Sequence, residues 1–328
     1  MAQHPPVYYK QNRLKQLRAF CYTAQAGSIS KAAEMLFLSQ PSVSLQIQAL
    51  ERELNTTLFE RRGPNIKLTP EGRILLDMAR PMVQQIDSLT DSFSAQCGNL
   101  QHGDLNIAAG ESTILYILPA PIKAFADRFP GIQLKMHNVT GRDGMAMLHA
   151  DEVDFAVGSM LEVPTGIKYY PMFTFDPWLI TPLDHPLARK KTVNLQDISP
   201  YGLILPPRHL ATWRIVDLVF HQHGVTYQVA LEAGGWEVIK KYVELGLGIS
   251  IVTGICISEQ DRARIATVAM DKFFPKRRYG VVLRKGRFLS PQAKMFIEMM
   301  HPGLLETEIA QPGDSEWISG STAYQPAG

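Results

Sequence analysis

The chain contains 328 residues, which is more than one typical hydrophobic core organises, so two or three domains are expected. Hydrophobic residues make up 45% of the sequence and charged residues 20%, a composition typical of soluble globular proteins. The formal net charge of +2 does not by itself indicate a nucleic-acid partner. However, residues 1–70 hold nine Lys or Arg against four Asp or Glu, so the N-terminal part would attract an anionic partner.

Cysteine spacing and hydropathy argue against a secreted or membrane-embedded protein. Cys21, Cys97 and Cys256 are distant from one another and fall in no CxxC spacing, which disfavours a disulfide framework and favours a reducing compartment. The N-terminus lacks the apolar core of a signal peptide. The longest apolar run, residues 245–257, is too short to span a bilayer and predicts a buried strand. We therefore expect a cytoplasmic protein that contacts no membrane.

Three short helices are predicted after a loose, flexible arm at residues 1–12. The first helix ends before Ser30, which can cap the second helix. A short link follows, with Ser39 as the N-cap of the third helix and Pro41 in its first turn, where the missing N–H costs nothing. Two short helices joined by a tight link predict a helix-turn-helix, within a DNA-binding domain at residues 13–72.

The third helix has an unusual outer face. Its apolar residues step by four, three and four and predict one buried face: Val43, Ile47, Leu50 and Leu54. Facing away from them are Gln40, Ser44 and Gln48, a stripe of amides and hydroxyls with almost no charge. The second helix of a helix-turn-helix lies in the major groove, where such groups match the donors and acceptors of base edges. We therefore expect this stripe, with Ser42, to read bases; a merely solvent-exposed polar face is the alternative.

A basic hairpin, or wing, is predicted directly after this helix. Residues 63–65 mark a turn between two short extended arms that carry Arg61, Arg62 and Lys67. Together with Arg52 near the end of the third helix, these side chains are expected to hold phosphates. Such contacts fix the register of a protein on DNA without reading the sequence.

A long helix is predicted to begin at Thr69, its N-cap, and residues 73–100 are expected to form a dimerisation linker. Its apolar residues repeat by four and three over nearly three heptads: Leu75, Ala79, Met82, Ile86, Leu89 and Phe93. A seam this narrow is usually buried against a copy of the same helix, and packing on its own chain is the alternative. Pro81 lies inside the helix and should kink it.

Short apolar strands alternate with helices from residue 104 to residue 302. This alternation predicts an α/β fold with mainly parallel sheets covered by helices. The pattern occurs twice, which favours two lobes over one sheet. Lobe I is expected at about residues 104–175 and 275–302, and lobe II at about residues 176–274. The tail at residues 303–328 has four acids and no Lys or Arg and is rich in Gly, Ser and Pro, so it should be disordered.

The N-terminal segment resembles the LysR-type transcriptional regulators. The matching stretches are AGSISKAAEML, SQPSVS at the start of the third helix, the LE-x-EL pair that closes it, LFERR and LTPEG. The α/β remainder is similar to the effector-binding body of that family, so the resemblance covers roughly residues 13–300. It implies a winged helix-turn-helix that binds double-stranded promoter DNA, a linker helix that dimerises the chain, and two periplasmic-binding-protein-like α/β subdomains that close on a small-molecule effector.

The residue pattern and the resemblance together define a predicted DNA-binding set. It consists of Ser39, Gln40, Pro41, Ser42, Ser44, Leu45, Gln48, Arg52, Arg61, Arg62 and Lys67. Many members of the family carry Arg at the positions of Leu45 and Gln48, so this recognition helix is less basic. Leu45 is expected either to contact a thymine methyl group or to be idle.

Within the family, residues 236–252 and 279–300 look most like the CysB branch, which governs sulfur assimilation. The resemblance implies an effector of the acetylserine or sulfur-oxyanion type, with RNA polymerase as a further partner. It also implies homodimers that pair into homotetramers.

An effector site is expected between the two lobes, because ligands of open α/β sheets sit beyond the carboxyl ends of strands, beside helix N-termini. Ser112, Thr113 and Ser159 follow predicted strands of lobe I and match polar ligand positions of the CysB-like pattern. The full predicted set is Ser112, Thr113, Ser159, Arg208, Thr212 and Trp236. For each hydroxyl an ordinary helix cap is the individual alternative, and for Trp236 a place in the core. Glu111 disfavours a bare sulfate-like anion and favours an amino-bearing effector such as an acetylated serine.

Other constellations are weak. His221 and His223 are two apart on a predicted helix, whereas a helical metal pair would be four apart, and Gly246-Leu247-Gly248 lacks the third glycine of a dinucleotide motif. No spaced nucleophile, base and orienting acid is found. The prediction is thus a sequence-specific transcriptional regulator with no cofactor and no enzymatic activity. The alternative is a cytoplasmic small-molecule-binding protein or enzyme with an accessory DNA-binding-like domain.

Overall fold

The computed structural model describes residues 12–62, 65–90, 93 and 102–306, with the backbone alone for Arg61, Arg62 and Asn65. The chain divides into two compact units. The N-terminal unit covers the described part of Met1–Leu100 together with Gly286–Pro291, and the C-terminal unit covers the described remainder. Several predictions fall outside the described residues: the arm up to residue 11, the tip of the wing, the end of the linker helix with Cys97, and the tail beyond Glu306.

The N-terminal unit is built from helices and one hairpin. In chain order these are α1 (Arg13–Ala26), α2 (Ile29–Met35), α3 (Gln40–Leu54), β1 (Phe59–Arg62), β2 (Asn65–Leu68) and α4 (Pro70–Asp87). Strands β1 and β2 pair in antiparallel register from Phe59 opposite Leu68 to Arg62 opposite Asn65. The three helices and the two arms of the wing agree with the prediction.

Hydroxyl side chains cap three of these helices. Ser39 Oγ accepts from the backbone N–H of Ser42 at 3.4 Å, and Thr69 Oγ1 accepts from that of Gly72 at 2.9 Å, so both predicted caps are confirmed. The predicted cap at Ser30 is wrong, because Ser28 caps α2 instead. Ser28 has the extended backbone that an N-cap needs, whereas α2 already begins at Ile29.

The apolar face of α3 lies in the core of the N-terminal unit. Val43, Ile47 and Leu50 are almost fully buried, as their spacing predicts. Leu54 is 40% exposed and does not extend that face, because α3 ends there and Asn55 turns the chain in a left-handed conformation. The ring of Phe20 from α1 packs at 5.3 Å from that of Phe59 in the wing, so helix and hairpin share one core.

The start of α4 is pressed against the segment that leads into the wing. A Cβ atom on Gly72 would lie 2.2 Å from the carbonyl oxygen of Leu58. Thr69 Oγ1 also donates to the carbonyl oxygen of Thr57, at 2.8 Å. Helix α4 then continues through Pro81 as far as Asp87, so the proline does not end it.

The C-terminal unit has many more elements. They are β3 (Gly103–Ala109), α5 (Glu111–Tyr116), α6 (Pro119–Arg128), β4 (Ile132–Asn138), α7 (Gly141–Ala150), β5 (Phe155–Gly158), β6 (Ile167–Phe175), β7 (Pro177–Pro182), α8 (Leu195–Ile198), β8 (Gly202–Leu205), α9 (Ala211–Gln222), β9 (Gln228–Glu232), α10 (Trp236–Glu244), β10 (Ser250–Thr253), α11 (Glu259–Arg262), β11 (Ile265–Ala269), β12 (Arg277–Arg284) and α12 (Pro291–Met300). Short 3-10 turns occur at Pro186–Arg189, Gly254–Cys256 and Leu304–Glu306.

These strands form two lobes. The first contains a five-stranded sheet in the order β4-β3-β5-β12-β6. The second contains the antiparallel group β10-β7-β11 and the parallel pair β8-β9, linked by a bridge between Leu203 and Ile249. The chain crosses from the first lobe at β7 and returns at β12. Helix α12 completes the first lobe, where Phe296 packs between Phe125 and Phe155.

The prediction of mainly parallel sheets is only half right. Strands β3, β4 and β5 are parallel to one another, but β12 runs antiparallel to both β5 and β6. In the second lobe β7 runs antiparallel to β10 and β11. The reason is that the returning segment and the crossing segment each add a strand whose direction helix–strand alternation does not reveal.

Candidate DNA-binding surface and effector cleft

Helix α3 presents its amides and hydroxyls along one side of its buried apolar face, about a quarter of a turn away, rather than opposite it as expected. Gln40 is exposed, and Ser44 and Gln48 are half-buried. Gln48 Nε2 donates to Ser44 Oγ at 3.4 Å, while the hydroxyls of Ser39 and Ser42 lie 2.8 Å apart. Because each of these contacts stays within the first turns of one helix, the stripe keeps spare donors and acceptors for a partner.

Two apolar side chains are exposed on or beside this surface. Leu45 lies in the second turn of α3 and is 59% exposed. Phe37 lies in the turn between α2 and α3, is 95% exposed, and adopts a left-handed backbone with φ of 56°. Sequence reasoning missed Phe37, although a link this tight after Leu36 gives a signal for a left-handed residue.

Basic residues flank α3, and an acidic one holds the wing in place. Arg52 is exposed, with Nε donating to the carbonyl oxygen of Gln48 at 3.3 Å, and Lys67 on β2 is exposed. Arg61 and Arg62 belong to β1, where only the backbone is described. The Glu51 carboxylate of α3 accepts from the backbone N–H of Leu58 at 2.8 Å. Sequence analysis did not assign this role to Glu51.

Helix α4 has two apolar faces rather than the single predicted seam. Leu76, Ala79 and Val83 are buried in the core of their own unit, so assigning Ala79 to a dimer seam was wrong. The second face is exposed by 45% to 64% per side chain and consists of Ile74, Met78, Met82 and Ile86. Beyond the end of α4, Leu89 and Phe93 are also exposed. The exposed row keeps Met82 and Ile86 of the predicted seam, whereas at its start Ile74 and Met78 take the places predicted for Leu75 and Ala79, because Ala79 is needed for the core.

The C-terminal part of α4 is tied to α1. Arg18 Nε donates to Asp87 Oδ1 at 2.6 Å, and Tyr22 Oη donates to Asp87 Oδ2 at 3.1 Å. Burial, followed by the Asp87 charge, raises the pKa of the Tyr22 phenol, so this phenol stays a donor. The exposed row of α4 is therefore held in a fixed relation to the helix-turn-helix.

In the C-terminal unit, two of the predicted effector residues lie next to side chains of strand β12. Ser112, the second residue of α5, lies beside the buried phenol of Tyr279 and, with Thr253, tends to lower its pKa. Ser159, just after β5, accepts from Arg277 Nε at 3.1 Å. Burial raises the pKa of Tyr279, and the Arg277 charge partly opposes that rise. Since Arg277 and Tyr279 are two residues apart on a strand, they point to the same side.

A small cavity lies beside these residues. Thr212 at the start of α9 lines it together with Arg277, Thr253 and the apolar residues Pro177, Ile251 and Phe274. Its volume is about 20 Å³, which is space for about one water molecule. The structure therefore brings Thr212 close to Arg277, and through it to Ser159. Sequence analysis missed Arg277 because nothing local distinguishes it from the neighbouring Lys276 and Arg278.

The other predicted effector residues are in different settings. Thr113 is 1% exposed and faces the core side of α5. The Arg208 guanidinium stacks at 5.1 Å over the ring of Trp213, and Arg208 does not line the cavity. Trp236, the first residue of α10, is half-buried and packs against a hydrophobic cluster that includes Ile239.

Helix α5 is connected to α10 at both of its ends. A Cβ atom on Gly235, just before α10, would lie 2.8 Å from Glu111 Oε1, so this carboxylate rests against the start of α10. At the other end, Tyr116 Oη donates to Glu237 Oε1 at 2.5 Å. Burial and this hydrogen bond raise the pKa of Tyr116 far above its ordinary value.

A buried ion cluster lies directly beneath α10. Lys240 is 5% exposed, and its Nζ lies 2.7 Å from Glu237 and 2.9 Å from the equally buried Asp261. The same Nζ donates to the carbonyl oxygen of Cys256 at 2.8 Å. Burial would raise the pKa of Asp261, but hydrogen bonds from Ser258 and the Lys240 ammonium outweigh it and lower that pKa. The cluster fixes α10, against which α5 rests.

Metal and membrane sites were also sought. Within the part of the chain that the structure describes, no group of three or more His, Cys, Asp or Glu side chains could hold a metal ion. Of the helices in the same described ranges, none is long and apolar enough to cross a bilayer.

Residues 14–73 match the model of the bacterial regulatory helix-turn-helix proteins of the lysR family, and residues 98–304 match that of the LysR substrate-binding domain. The chain belongs to the LysR family. It is therefore a DNA-binding transcriptional regulator with a two-lobed effector-binding domain, as the sequence resemblance predicts. Transcriptional regulators of this kind are generally not enzymes.

Individual relatives are moderately similar. The chain is 30% identical to the transcriptional regulator CysB of Burkholderia cenocepacia over 289 residues, covering 87% of this chain and 91% of that one. It is also 30% identical to the RuBisCO operon transcriptional regulator of Allochromatium vinosum, covering 88% and 95%. The fold resembles full-length OxyR from Pseudomonas aeruginosa, with a TM-score of 0.64 at 22% identity, covering 88% and 97%. The similarity to CysB agrees with the branch suggested by the sequence.

Proposed function

We propose that α3 enters the major groove of promoter DNA and reads bases through Gln40, Ser42, Ser44 and Gln48. The observation that carries this proposal is the continuous polar stripe that borders the buried apolar face of α3. The first turns of a recognition helix reach base edges, and Gln pairs with adenine through two hydrogen bonds. Leu45, exposed on the same helix, contacts a thymine methyl group.

The remaining residues of the predicted set position the protein on the duplex. Ser39 and Pro41 fix the start of α3, so that its first turn faces the groove. Arg52, Arg61, Arg62 and Lys67 bind phosphates on either side. These contacts supply affinity that falls with rising salt concentration and that does not depend on sequence.

The exposed row of α4 forms the homodimer contact. A row of four exposed apolar side chains on one helix, Ile74, Met78, Met82 and Ile86, with the exposed Leu89 and Phe93 after its end, is unusual at a free surface, and a second copy of the same helix would cover it. The two α3 helices of the dimer are thereby held at a fixed spacing on DNA. Two such dimers pair into a homotetramer, and RNA polymerase is a further partner of the bound complex.

The effector binds between the lobes at Ser112, Ser159 and Thr212, with Thr113, Arg208 and Trp236 at the edges of that site. Glu111 favours an effector with an amino group, so an acetylserine-like molecule fits better than a bare sulfur oxyanion. The CysB-like sequence supports a role in sulfur metabolism. The protein acts in the cytoplasm, by binding and without turnover. The effector changes DNA binding only through its different affinity for two arrangements of the lobes.

Selection of duplexes from a random pool with the full chain tests the DNA proposal. Gln40→Ala and Ser44→Ala should relax the selected motif, because they remove base contacts. Arg62→Ala should leave the motif intact, weaken binding to all duplexes and lower the salt dependence. An unchanged motif in both α3 variants would show that this helix is not the reader.

The effector proposal is tested separately on the selected duplex. Ser112→Ala should keep the DNA affinity of the wild type and lose the response to acetylserine-type molecules. If this variant responds fully, the effector binds elsewhere.

A further inference from the structure

Arg277 is a cation that lines the small cavity of the C-terminal unit. It is the first residue of β12 and is half-buried. Its Nε donates to Ser159 Oγ at 3.1 Å, which fixes the orientation of the planar guanidinium. The terminal nitrogens of a guanidinium held through Nε remain available as paired donors.

No carboxylate in the described parts of the chain lies within ion-pair distance of Arg277. The acidic residue that precedes the cavity lining, Asp176, is paired with Lys276 at 2.9 Å. An arginine partly removed from water without a counter-charge is costly, and proteins keep such groups where a ligand supplies the missing charge. The charge balance therefore indicates an anionic ligand.

The surroundings of Arg277 suit an anion. Thr212 lines the same cavity from the first turn of α9, and Thr253 lines it from the end of β10. Helix α9 has Leu210 as its N-cap and thus no side-chain cap, so its first N–H groups are not satisfied by a capping side chain. Apolar walls from Pro177, Ile251 and Phe274 lower the local polarity and strengthen a charge pair.

We propose that Arg277 is the residue that recognises the charge of the effector, by pairing with a carboxylate or a sulfur oxyanion while Ser159 and Thr212 complete the site. This inference rests on the effector site proposed above and adds the residue that pairs with the effector's charge. Since the cavity has room for about one water molecule, the side chains around it must move to admit an effector. Neutral molecules of the same shape are rejected, because they would leave the guanidinium unpaired.

The test uses the full-length chain and five defined probes: sulfate, thiosulfate, O-acetylserine, N-acetylserine and the carboxamide of N-acetylserine. Binding is measured by calorimetry and by the rise in melting temperature that a native-state ligand must cause. Arg277→Gln removes the charge, and Arg277→Lys keeps it but loses the paired donors. Arg278→Gln is the matched control, because Arg278 is the exposed neighbour on the same strand.

At least one anionic probe should bind the wild type and the Arg278→Gln control equally, and Arg277→Gln should bind it about tenfold more weakly or not at all. The affinity of Arg277→Lys for the same probe should lie between those of the wild type and Arg277→Gln. Loss of binding by the carboxamide identifies a carboxylate, whereas binding of sulfate or thiosulfate identifies an oxyanion.

Two results would overturn this inference, and they are distinguishable. If Arg277→Gln binds an anionic probe as tightly as the wild type, Arg277 is not the charge reader and the proposed function stands. If the wild type binds none of the five probes, the proposed effector chemistry fails and the role of Arg277 fails with it.

Discussion

The polar side chains of α3 and those of the effector cleft find their hydrogen-bond partners in different parts of the chain. On α3 the amides and hydroxyls contact neighbours within one or two turns of the same helix, as Gln48 and Ser44 do. In the C-terminal unit the polar groups are bonded between distant segments, as Arg277 is to Ser159. The surface of α3 thus keeps donors and acceptors for a partner, whereas the polar groups of the C-terminal unit already bond one another.

This difference explains how the two sites can work. A preformed surface suits a rigid duplex, because little rearrangement opposes binding. A cavity with space for about one water molecule suits a switch, because an effector must displace existing contacts to enter it. Four variants or conditions, taken from the largest expected effect to the smallest, test this contrast.

The buried ion cluster of the C-terminal unit should give the largest effect. Lys240→Met removes the buried ammonium from the Asp261 carboxylate and leaves it only Ser258 and the half-exposed Arg264 at 2.9 Å, and breaking a buried pair costs about 3–5 kcal/mol. Urea unfolding of the full chain measures the loss, and hydrogen exchange locates it. We expect α10 and α11 to exchange faster while α1 to α4 are unchanged.

The neighbouring residue supplies a matched control for this variant. Lys241 is exposed and pairs with Glu244 at 3.3 Å on the surface. Lys241→Met should therefore change stability by less than about 0.5 kcal/mol. Equal losses in both variants would mean that the buried cluster does not stabilise the unit.

The second test concerns the close packing between the start of α4 and the segment that leads into the wing. Gly72→Ala places a Cβ 2.2 Å from the carbonyl oxygen of Leu58, so the backbone must move. We expect a loss of about 3 kcal/mol, the upper range for an overpacked core. The exchange of α4 and the wing should rise. Gly141→Ala is the control, because its Cβ would meet nothing within 4 Å.

These two sites also show what the sequence can predict. The stripe on α3 follows from 3.6-residue periodicity, which depends on neighbours along the chain, and it was found. The register of Gly72 against Leu58, the antiparallel direction of β12 and the pairing of Arg277 with Ser159 depend on contacts between distant segments. The predicted cleft residues Ser112, Ser159 and Thr212 came from strand ends, which is a rule about topology. The rule placed Ser159 and Thr212 near Arg277 but could not identify Arg277.

Acid should weaken the C-terminal unit through Asp261. Its pKa is lowered from an ordinary value of 3.8, so its contribution to stability is present above that value and is lost as the pH falls through the lower folded pKa. The free energy of unfolding should therefore decrease as the pH is lowered below about 4. This loss should be smaller than the loss that Lys240→Met causes at neutral pH. In Asp261→Asn this part of the pH dependence should disappear; an unchanged slope would assign the acid sensitivity to other carboxylates.

The smallest effect is expected at the turn before α3, and it has the opposite sign. Phe37 adopts φ of 56°, a conformation that costs an ordinary L-residue about 1–2 kcal/mol and that Asn tolerates better. Because its ring is 95% exposed, Phe37→Asn loses no packing and should stabilise the protein by about 1 kcal/mol in urea unfolding. Phe37→Ala removes the same ring but keeps the backbone cost, so it should give no gain. If both variants are equally stabilised, exposure of the ring is the cause. If only Phe37→Asn stabilises the protein, the backbone of Phe37 is strained in the wild type. The turn before α3 then keeps its conformation although Phe37 disfavours it.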